Sequence, residues 1–156
     1  MFEYLVKITR VVDGDTVDAD IDLGFDIIYR DRIRLMGIDT PESRTRNKRE
    51  KFLGLASKAR LKQLTKQHKG KLTLVTSKEG KGKFGRILGS LIPLGSQLSL
   101  NAQLVQEGHA RPYFGGRKSE QGEWVKWFDE KNSEVLRGWC KWTDKGYTFD
   151  ERIQQV

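Results

Sequence analysis

The stretch "RLMGIDTPES" occupies residues 34–43 and joins an apolar run to a cluster of charged residues. Its first part completes the run "IIYRDRIRLMGI" (27–38), whose β-branched and aromatic residues predict a strand. Pro41 lacks a backbone N–H and prevents simple continuation of strand pairing. We therefore expect a strand to end here and to leave an arginine, an aspartate and a glutamate close together in one loop.

Four more strands are predicted on either side of this stretch. The runs "YLVKITRVV" (4–12) and "TVDADIDL" (16–23) are separated by "DGD", a turn signal, and so predict a hairpin. The runs "KLTLVTS" (71–77) and "GRILGSLIPL" (85–94) predict two later strands. Because five short strands have edges that closure would remove, we expect a small twisted barrel, with the OB-fold as the natural candidate.

Three helices are expected around this barrel. A long helix over 48–67 is indicated by one stripe of residues spaced by three or four: Leu53, Ser57, Leu61, Leu64 and His68. Ser99 predicts the N-cap of a short helix through Gln106. The segment 119–138 predicts a last helix, ended by a glycine. The fold class is therefore mostly β (α+β).

Size and composition are those of a single globular domain over residues 1–156, with 37% hydrophobic and 32% charged residues. No apolar run approaches the roughly 18 residues that a spanning helix needs, and the first residues lack the order of a signal peptide. We expect no membrane association and a cytoplasmic location. The single cysteine, Cys140, excludes an intrachain disulfide and a cysteine-rich zinc site.

Charge is unevenly distributed along this chain of net charge +8. Residues 1–43 hold five Lys/Arg and ten Asp/Glu, whereas residues 44–71 hold eleven Lys/Arg and one acid, Glu50. An acidic segment followed directly by a basic one is expected where a metal site lies beside a track for a polyanion. The alternative interpretation of the lysine run is a solvated helix face.

Three motifs occur in order: "VVDGDTV" (11–17), "RLMGIDTPE" (34–42) and "KFGR" (83–86). Together they closely resemble the staphylococcal nuclease (thermonuclease) family, and the resemblance runs with interruptions from about residue 6 to residue 142. It implies an OB-type five-stranded barrel with three helices and calcium-dependent hydrolysis of DNA and RNA that leaves 3′-phosphate ends. The expected partner is DNA, preferentially single-stranded, with RNA as a further substrate, and the expected state is a monomer.

The residues themselves suit phosphodiester hydrolysis, which needs a hard cation, positive groups for the developing charge and an oriented water. Asp15 and Asp39 lie at strand boundaries, where adjacent pairing can bring two carboxylates together as oxygen ligands for Ca²⁺. The resemblance assigns them that role and adds the backbone carbonyl of Thr40. For an isolated Asp-Gly the competing interpretation is a simple hairpin turn.

Arg34 and Arg86 are the candidate catalytic cations, because a guanidinium can donate two parallel hydrogen bonds to one phosphoryl group. The alternative for Arg34 is a strand residue that faces solvent. Glu42 matches the general base of the family, and whether it deprotonates the water or orients it stays open at the level of sequence.

Substrate contacts are expected from residues around this set. Tyr113 is a candidate for stacking on a base. In the family pattern a lysine and a tyrosine engage a terminal phosphate, and here those positions are Lys83 and Phe84, so a hydroxyl donor is missing. A basic loop that could hold the phosphate backbone follows Glu42 and contains Arg44, Arg46, Lys48 and Arg49. The histidines, His68 and His109, are interpreted as helix-end or packing residues.

Two functions remain to be compared. The first is a Ca²⁺-dependent nuclease, and the alternative is a non-catalytic OB-type nucleic-acid-binding module, since that fold hosts many functions. Binding alone needs no carboxylates beside a phosphate, so the acidic residues of the motifs favour the enzyme over the binding module and over a protein-interaction domain.

Overall fold

The computed structural model describes residues 2–81, 86–113, 140–143 and 146–149, with side chains described for 2–76 and 86–113. The described helices are α1 (Lys48–Gln67) and α2 (Leu100–Gln106). The described strands are β1 (Phe2–Asp13), β2 (Thr16–Asp22), β3 (Ile28–Leu35), β4 (Ile38–Asp39), β5 (Leu72–Lys81), β6 (Ile87–Pro93), β7 (Arg111–Pro112), β8 (Cys140–Thr143) and β9 (Gly146–Phe149).

A closed five-stranded barrel confirms the predicted fold class. Its strand order is β1-β2-β3-β6-β5, and β1 also pairs with β5. All of these pairs are antiparallel except β3–β6, which is parallel and joins the first three strands to the last two. Closure leaves no free edge among these five strands, as expected for strands this short.

The core lies inside the barrel and between the barrel and both helices. Along β2, Val17, Ala19 and Ile21 are buried and alternate with the half-buried Asp18 and Asp20, as expected for a strand with one apolar face. The largest fully buried apolar side chains are Ile21, Ile33, Leu35, Leu61, Leu64, Leu72, Leu74, Leu91, Leu100 and Leu104.

Helix α1 has the predicted bounds. Its N-cap, Asn47, accepts hydrogen bonds from the backbone N–H groups of Arg49 and Glu50, at 3.1 Å each. The predicted stripe is buried, apart from the half-buried His68 at the C-cap. The buried face is wider than the stripe and includes Phe52, because the helix packs against both the barrel and the loop before it.

The predicted third strand, 27–38, is too long at its C-terminal end. Strand β3 ends at Leu35, and Gly37 has a φ of 78°, which breaks the extended conformation before Pro41 is reached. The N–H of Met36 donates to the carbonyl of Gly89 at 2.8 Å. The chain then resumes as the short β4, which pairs with β7.

Two helices are present in the described ranges, and the predicted helix over 119–138 lies outside the described residues. The pairing of β8 with β9 was not predicted. None of the described helices is both long enough and apolar enough to cross a membrane.

Candidate active site

The site forms where the turn after β1, the end of β3 and the short β4 meet. Thr16 and Arg34 are register partners across β2 and β3. The N–H of Leu35 donates to the carbonyl of Asp15 at 2.8 Å, which ties the end of β3 to the β1–β2 turn. The turn at Met36 and Gly37 then brings β4, with Asp39, back toward this turn.

Arg34 lies between two carboxylates. Its Nη1 is 3.2 Å from Oδ2 of Asp15, and its Nη2 is 3.8 Å from Oδ1 of Asp39. The three side chains are 13%, 12% and 11% exposed, respectively. Arg34 is therefore not a strand residue that faces solvent, and its charge is held beside both carboxylates in a partly water-excluded site, where charges interact more strongly than in bulk water.

Hydrogen bonds orient the side chains of Asp15 and of the neighbouring Asp13. The hydroxyl of Thr16 donates to Oδ1 of Asp15 at 2.8 Å, and the N–H of Thr40 approaches Oδ2 at 3.3 Å. One residue before the turn, Asp13 accepts a hydrogen bond from the hydroxyl of Ser43. The segment 40–43 is thus attached to the β1–β2 turn at two points.

Arg111 is a second cation of the site that the sequence analysis missed. Its Nε is 3.5 Å from Oδ2 of Asp39, and the two residues are register partners in the β4–β7 pair. The available sequence signal was an arginine two residues before the candidate Tyr113. That signal was insufficient because the contact depends on the pairing of two strands of two residues each, which no local pattern predicts.

Two glycines let other segments approach the site closely. A Cβ on Gly14 would lie 2.7 Å from Cβ of Ser57 on α1 and 3.1 Å from the side chain of Thr40. A Cβ on Gly54 would lie 2.6 Å from the carbonyl oxygen of Glu42. Helix α1 therefore packs directly against the backbone that carries the candidate base, and any side chain at position 54 would displace one of them.

The oxygen atoms of the site are donors that a divalent cation could use. Asp15 and Asp39 supply buried carboxylate oxygens that both lie near the Arg34 guanidinium. Thr40 directly follows β4, and its N–H approaches Oδ2 of Asp15 at 3.3 Å. Oxygen donors of this kind suit hard cations such as Ca²⁺ or Mg²⁺. Within the described ranges no group of three or more His, Cys, Asp and Glu residues could hold a metal, so a cation here would complete its shell with backbone oxygens, water or phosphate. Asp15, Asp39 and Thr40 therefore fit a hard divalent cation.

The family model described as "Staphylococcal nuclease homologue" matches residues 32–133, about two thirds of the chain. The chain belongs to this family. Two thermonucleases are similar to it: that of Staphylococcus intermedius is 41% identical over 112 residues, and that of Staphylococcus hyicus is 34% identical over 113 residues. These alignments cover 71% and 72% of this chain and 60% and 61% of the relatives.

The chain is also similar to a longer protein. Endonuclease YhcR of Bacillus subtilis (strain 168) is 34% identical over 116 residues, which are 72% of this chain and 9% of that protein. The chain thus spans about 60% of the length of the two thermonucleases and a small part of the endonuclease.

The remaining catalytic candidates of this family member are Glu42 and Arg86. Glu42 is exposed in the loop after β4. Arg86 is half-buried and directly precedes β6. Ile33 and Ile87 are register partners and both are buried, so side-chain alternation directs Arg34, the next residue of β3, away from the barrel interior.

The candidate substrate contacts are only partly described. Tyr113 is half-buried, and its N–H donates to the carbonyl of Gly37 at 2.9 Å, which holds it beside the turn before β4. Lys83 and Phe84 lie outside the described residues. The basic loop and the first turn of α1 present four exposed cations: Arg44, Arg46, Lys48 and Arg49.

Neither histidine lies among these catalytic candidates. His68 caps α1, and His109 is 1% exposed after α2. Burial lowers the pKa of His109 to about 4, so this imidazole is neutral near pH 7. Their interpretation as helix-end and packing residues is confirmed.

Proposed function

We propose that this protein is a Ca²⁺-dependent nuclease that hydrolyses phosphodiester bonds of DNA, preferentially single-stranded, and of RNA, with little sequence preference, and leaves 3′-phosphate ends. The observation that carries the proposal is the position of the Arg34 guanidinium between the carboxylates of Asp15 and Asp39. Family membership and the printed names of the relatives, two thermonucleases and an endonuclease, support the reaction class.

In this proposal the metal ligands are Asp15, Asp39 and the carbonyl oxygen of Thr40. A bound Ca²⁺ would act as a Lewis acid that polarises the phosphoryl oxygen. The hydrogen bonds that Asp15 accepts from Thr16 and Thr40 keep its carboxylate oriented before substrate arrives, so little reorganisation is needed.

Arg34 and Arg86 are the proposed donors to the phosphoryl oxygens. Their planar guanidinium groups keep their charge at any working pH and match the geometry of a phosphate. Arg111, paired with Asp39, balances part of the acidic charge, so that the site does not repel an anionic substrate.

Glu42 is the proposed acceptor for the proton of the attacking water. The water oxygen forms the new bond to phosphorus, its proton passes to the carboxylate, and the bond to the 5′-oxygen breaks, with a solvent proton taken up by the departing oxygen. The phosphate then stays on the 3′-oxygen of the upstream fragment, and the downstream fragment ends in a 5′-hydroxyl. The exposed position of Glu42 leaves it accessible to water in the free protein.

Lys83, Phe84, Tyr113 and the basic loop are the proposed contacts with the rest of the strand. We further propose that residues 1–156 act as one domain and as a monomer. A non-catalytic nucleic-acid-binding module is the weaker alternative, because phosphate binding alone does not need two buried carboxylates.

The test incubates denatured DNA with the protein in excess Ca²⁺ or in excess chelator, and then maps the ends of the products. Cutting should require Ca²⁺ and leave ends that a polymerase cannot extend until a phosphatase has treated them. Asp39→Ala should lower turnover severely, whereas the matched surface variant Asp20→Ala should not. Undiminished cutting in chelator would contradict the metal assignment, and binding without any cutting would favour the binding module.

A further inference from the structure

A groove of about 490 Å³ separates β1 from the second half of α1. Its floor is apolar and includes Val6, Val11 and Leu72. None of the described residues that line it is acidic. Its positive side chains are Lys7, Arg10, Lys58, Lys62, Lys66 and Lys69.

These cations form two facing rows. On α1 three of the lysines, Lys58, Lys62 and Lys66, recur every four residues and follow one face of the helix, and Lys69 lies just beyond its end. Residues 58 to 66 extend about 12 Å along the helix axis, at about 1.5 Å per residue. Lys7 and Arg10 face them from β1, so a linear polyanion that lies in the groove would meet positive charge on both sides.

The electrostatic surroundings of Lys58 support this interpretation. Its pKa is lowered by burial first and then by the nearby charge of Lys62; Asp13 opposes this lowering, and Arg10 and Arg44 add smaller lowering effects. Cations that repel one another in this way are stabilised when an anion comes to lie between them.

The groove approaches the margin of the active site, because its lining residues Arg10 and Val11 lie close before Asp13 on β1. Arg44 belongs to the basic loop and acts electrostatically on Lys58. Asp13, which also acts on Lys58, accepts the hydrogen bond from Ser43 at the start of that loop. A strand that leaves the carboxylates along the basic loop would therefore pass close to the groove.

We propose that this groove binds the sugar–phosphate backbone of a nucleic-acid strand beyond the hydrolytic site. The identity of the polyanion rests on the proposed function. The lysines have flexible side chains, the floor is apolar, and none of the described lining residues is acidic. Such a surface suits contacts with the phosphates of any sequence, and these contacts add length-dependent affinity without base selection.

The experiment measures the equilibrium binding of a fluorescent single-stranded 20-mer in chelator, at several salt concentrations, so that it does not depend on hydrolysis. Lys62→Gln/Lys66→Gln should lower the log–log salt slope by about 1.4, since each lost phosphate contact lowers it by about 0.7. At 0.1 M salt that slope corresponds to about 25-fold weaker binding. Lys66→Gln/Lys69→Gln, at two exposed positions, should behave alike and serves if the first variant folds poorly.

The charge-matched control is Arg30→Gln/Arg32→Gln, which removes two positive charges from exposed ion pairs on β3. It should change affinity less than threefold. Equal weakening by control and groove variants would mean that net charge alone causes the effect and would overturn the proposal, as would an unchanged salt slope.

Vesicles with 30% phosphatidylserine provide a second ligand. Groove variants that lose vesicle binding but keep DNA binding would assign the groove to a membrane surface instead. Normal groove binding in a protein that never cuts DNA would overturn the proposed function and leave the groove as a binding site.

Discussion

The backbone of Glu42 lies so close to Gly54 that a Cβ at position 54 would be 2.6 Å from the Glu42 carbonyl oxygen. Glycine in a helix interior costs about 1 kcal/mol relative to alanine, so α1 would be more stable as an isolated helix with any other ordinary residue here. The close approach of the helix to the loop of the proposed base is the physical reason for a glycine at this position.

Gly54→Ala tests this contact. The added methyl group must push the loop or the helix aside, so we expect the free energy of unfolding to fall by about 1–3 kcal/mol and kcat to fall with it as Glu42 moves. Urea unfolding and initial rates on denatured DNA measure the two effects. Lys51→Ala, at an exposed position of the same helix, should stay within about 0.5 kcal/mol of the wild type. A Gly54→Ala protein that is more stable than the wild type would show that the loop yields without strain.

Arg86→Lys tests the proposed donor to the phosphate. Lysine keeps the charge and loses the planar pair of N–H groups, so we expect kcat to fall by about two orders of magnitude, similar to the loss of one oxyanion donor. Arg30→Lys, in an exposed ion pair with Asp20, is the matched control and should leave kcat unchanged. Activity of Arg86→Lys within a few-fold of the wild type would make Arg86 a surface residue without a role in the chemical step.

Asn101 connects α2 to the turn that positions β4. Its side-chain amide donates to the carbonyls of Met36 and Gly89, at 2.8 Å and 3.2 Å, and its Oδ1 accepts from the N–H of Leu91 at 3.2 Å. Asn101→Leu would leave buried backbone groups unsatisfied, so we expect a loss of about 3 kcal/mol in the free energy of unfolding. Thermal and urea unfolding measure it, with the half-buried Gln103→Ala as the control on the same helix.

Asn101→Asp separates the two halves of this network. The carboxylate can still accept from Leu91 but cannot donate to the two carbonyls, so it should destabilise the protein more at pH 8 than near pH 3, where the protonated acid regains a donor. Equal destabilisation at both pH values would locate the effect in packing.

His109 predicts a pH dependence of stability. Its pKa is lowered from about 6.5 in the unfolded chain to about 4 in the folded protein by burial. The neutral folded form is therefore fully favoured above pH 6.5, and this contribution, about 3 kcal/mol, is lost as the pH falls toward 4, because the unfolded chain takes up the proton first. Urea unfolding between pH 4 and pH 7.5 should show a shallower decline for His109→Gln than for the wild type. A wild-type slope in His109→Gln would contradict the assignment.

Local physics made much of the fold predictable. The bounds of α1 follow from an N-cap and an apolar stripe, and those of α2 from a serine that accepts a hydrogen bond from the N–H of Ala102. The hairpin of β1 and β2 follows from alternation around an Asp-Gly turn. The third strand was drawn too long because a run of β-branched residues does not reveal that Gly37 adopts a positive φ.

The sequence by itself determined the barrel strands, both described helices and the set of charged residues from which the site is built, since caps, turns and side-chain periodicity act within a few neighbouring residues. Only the tertiary structure decided which of those charges meet. The contact of Arg111 with Asp39 requires the β4–β7 pair, and the burial of Arg34 between two carboxylates requires the end of β3 to be tied to the β1–β2 turn. The groove lined by lysines requires α1 to pack across β1. These contacts join residues far apart in the chain, and barrel closure and core packing select their partners, which local propensity cannot encode.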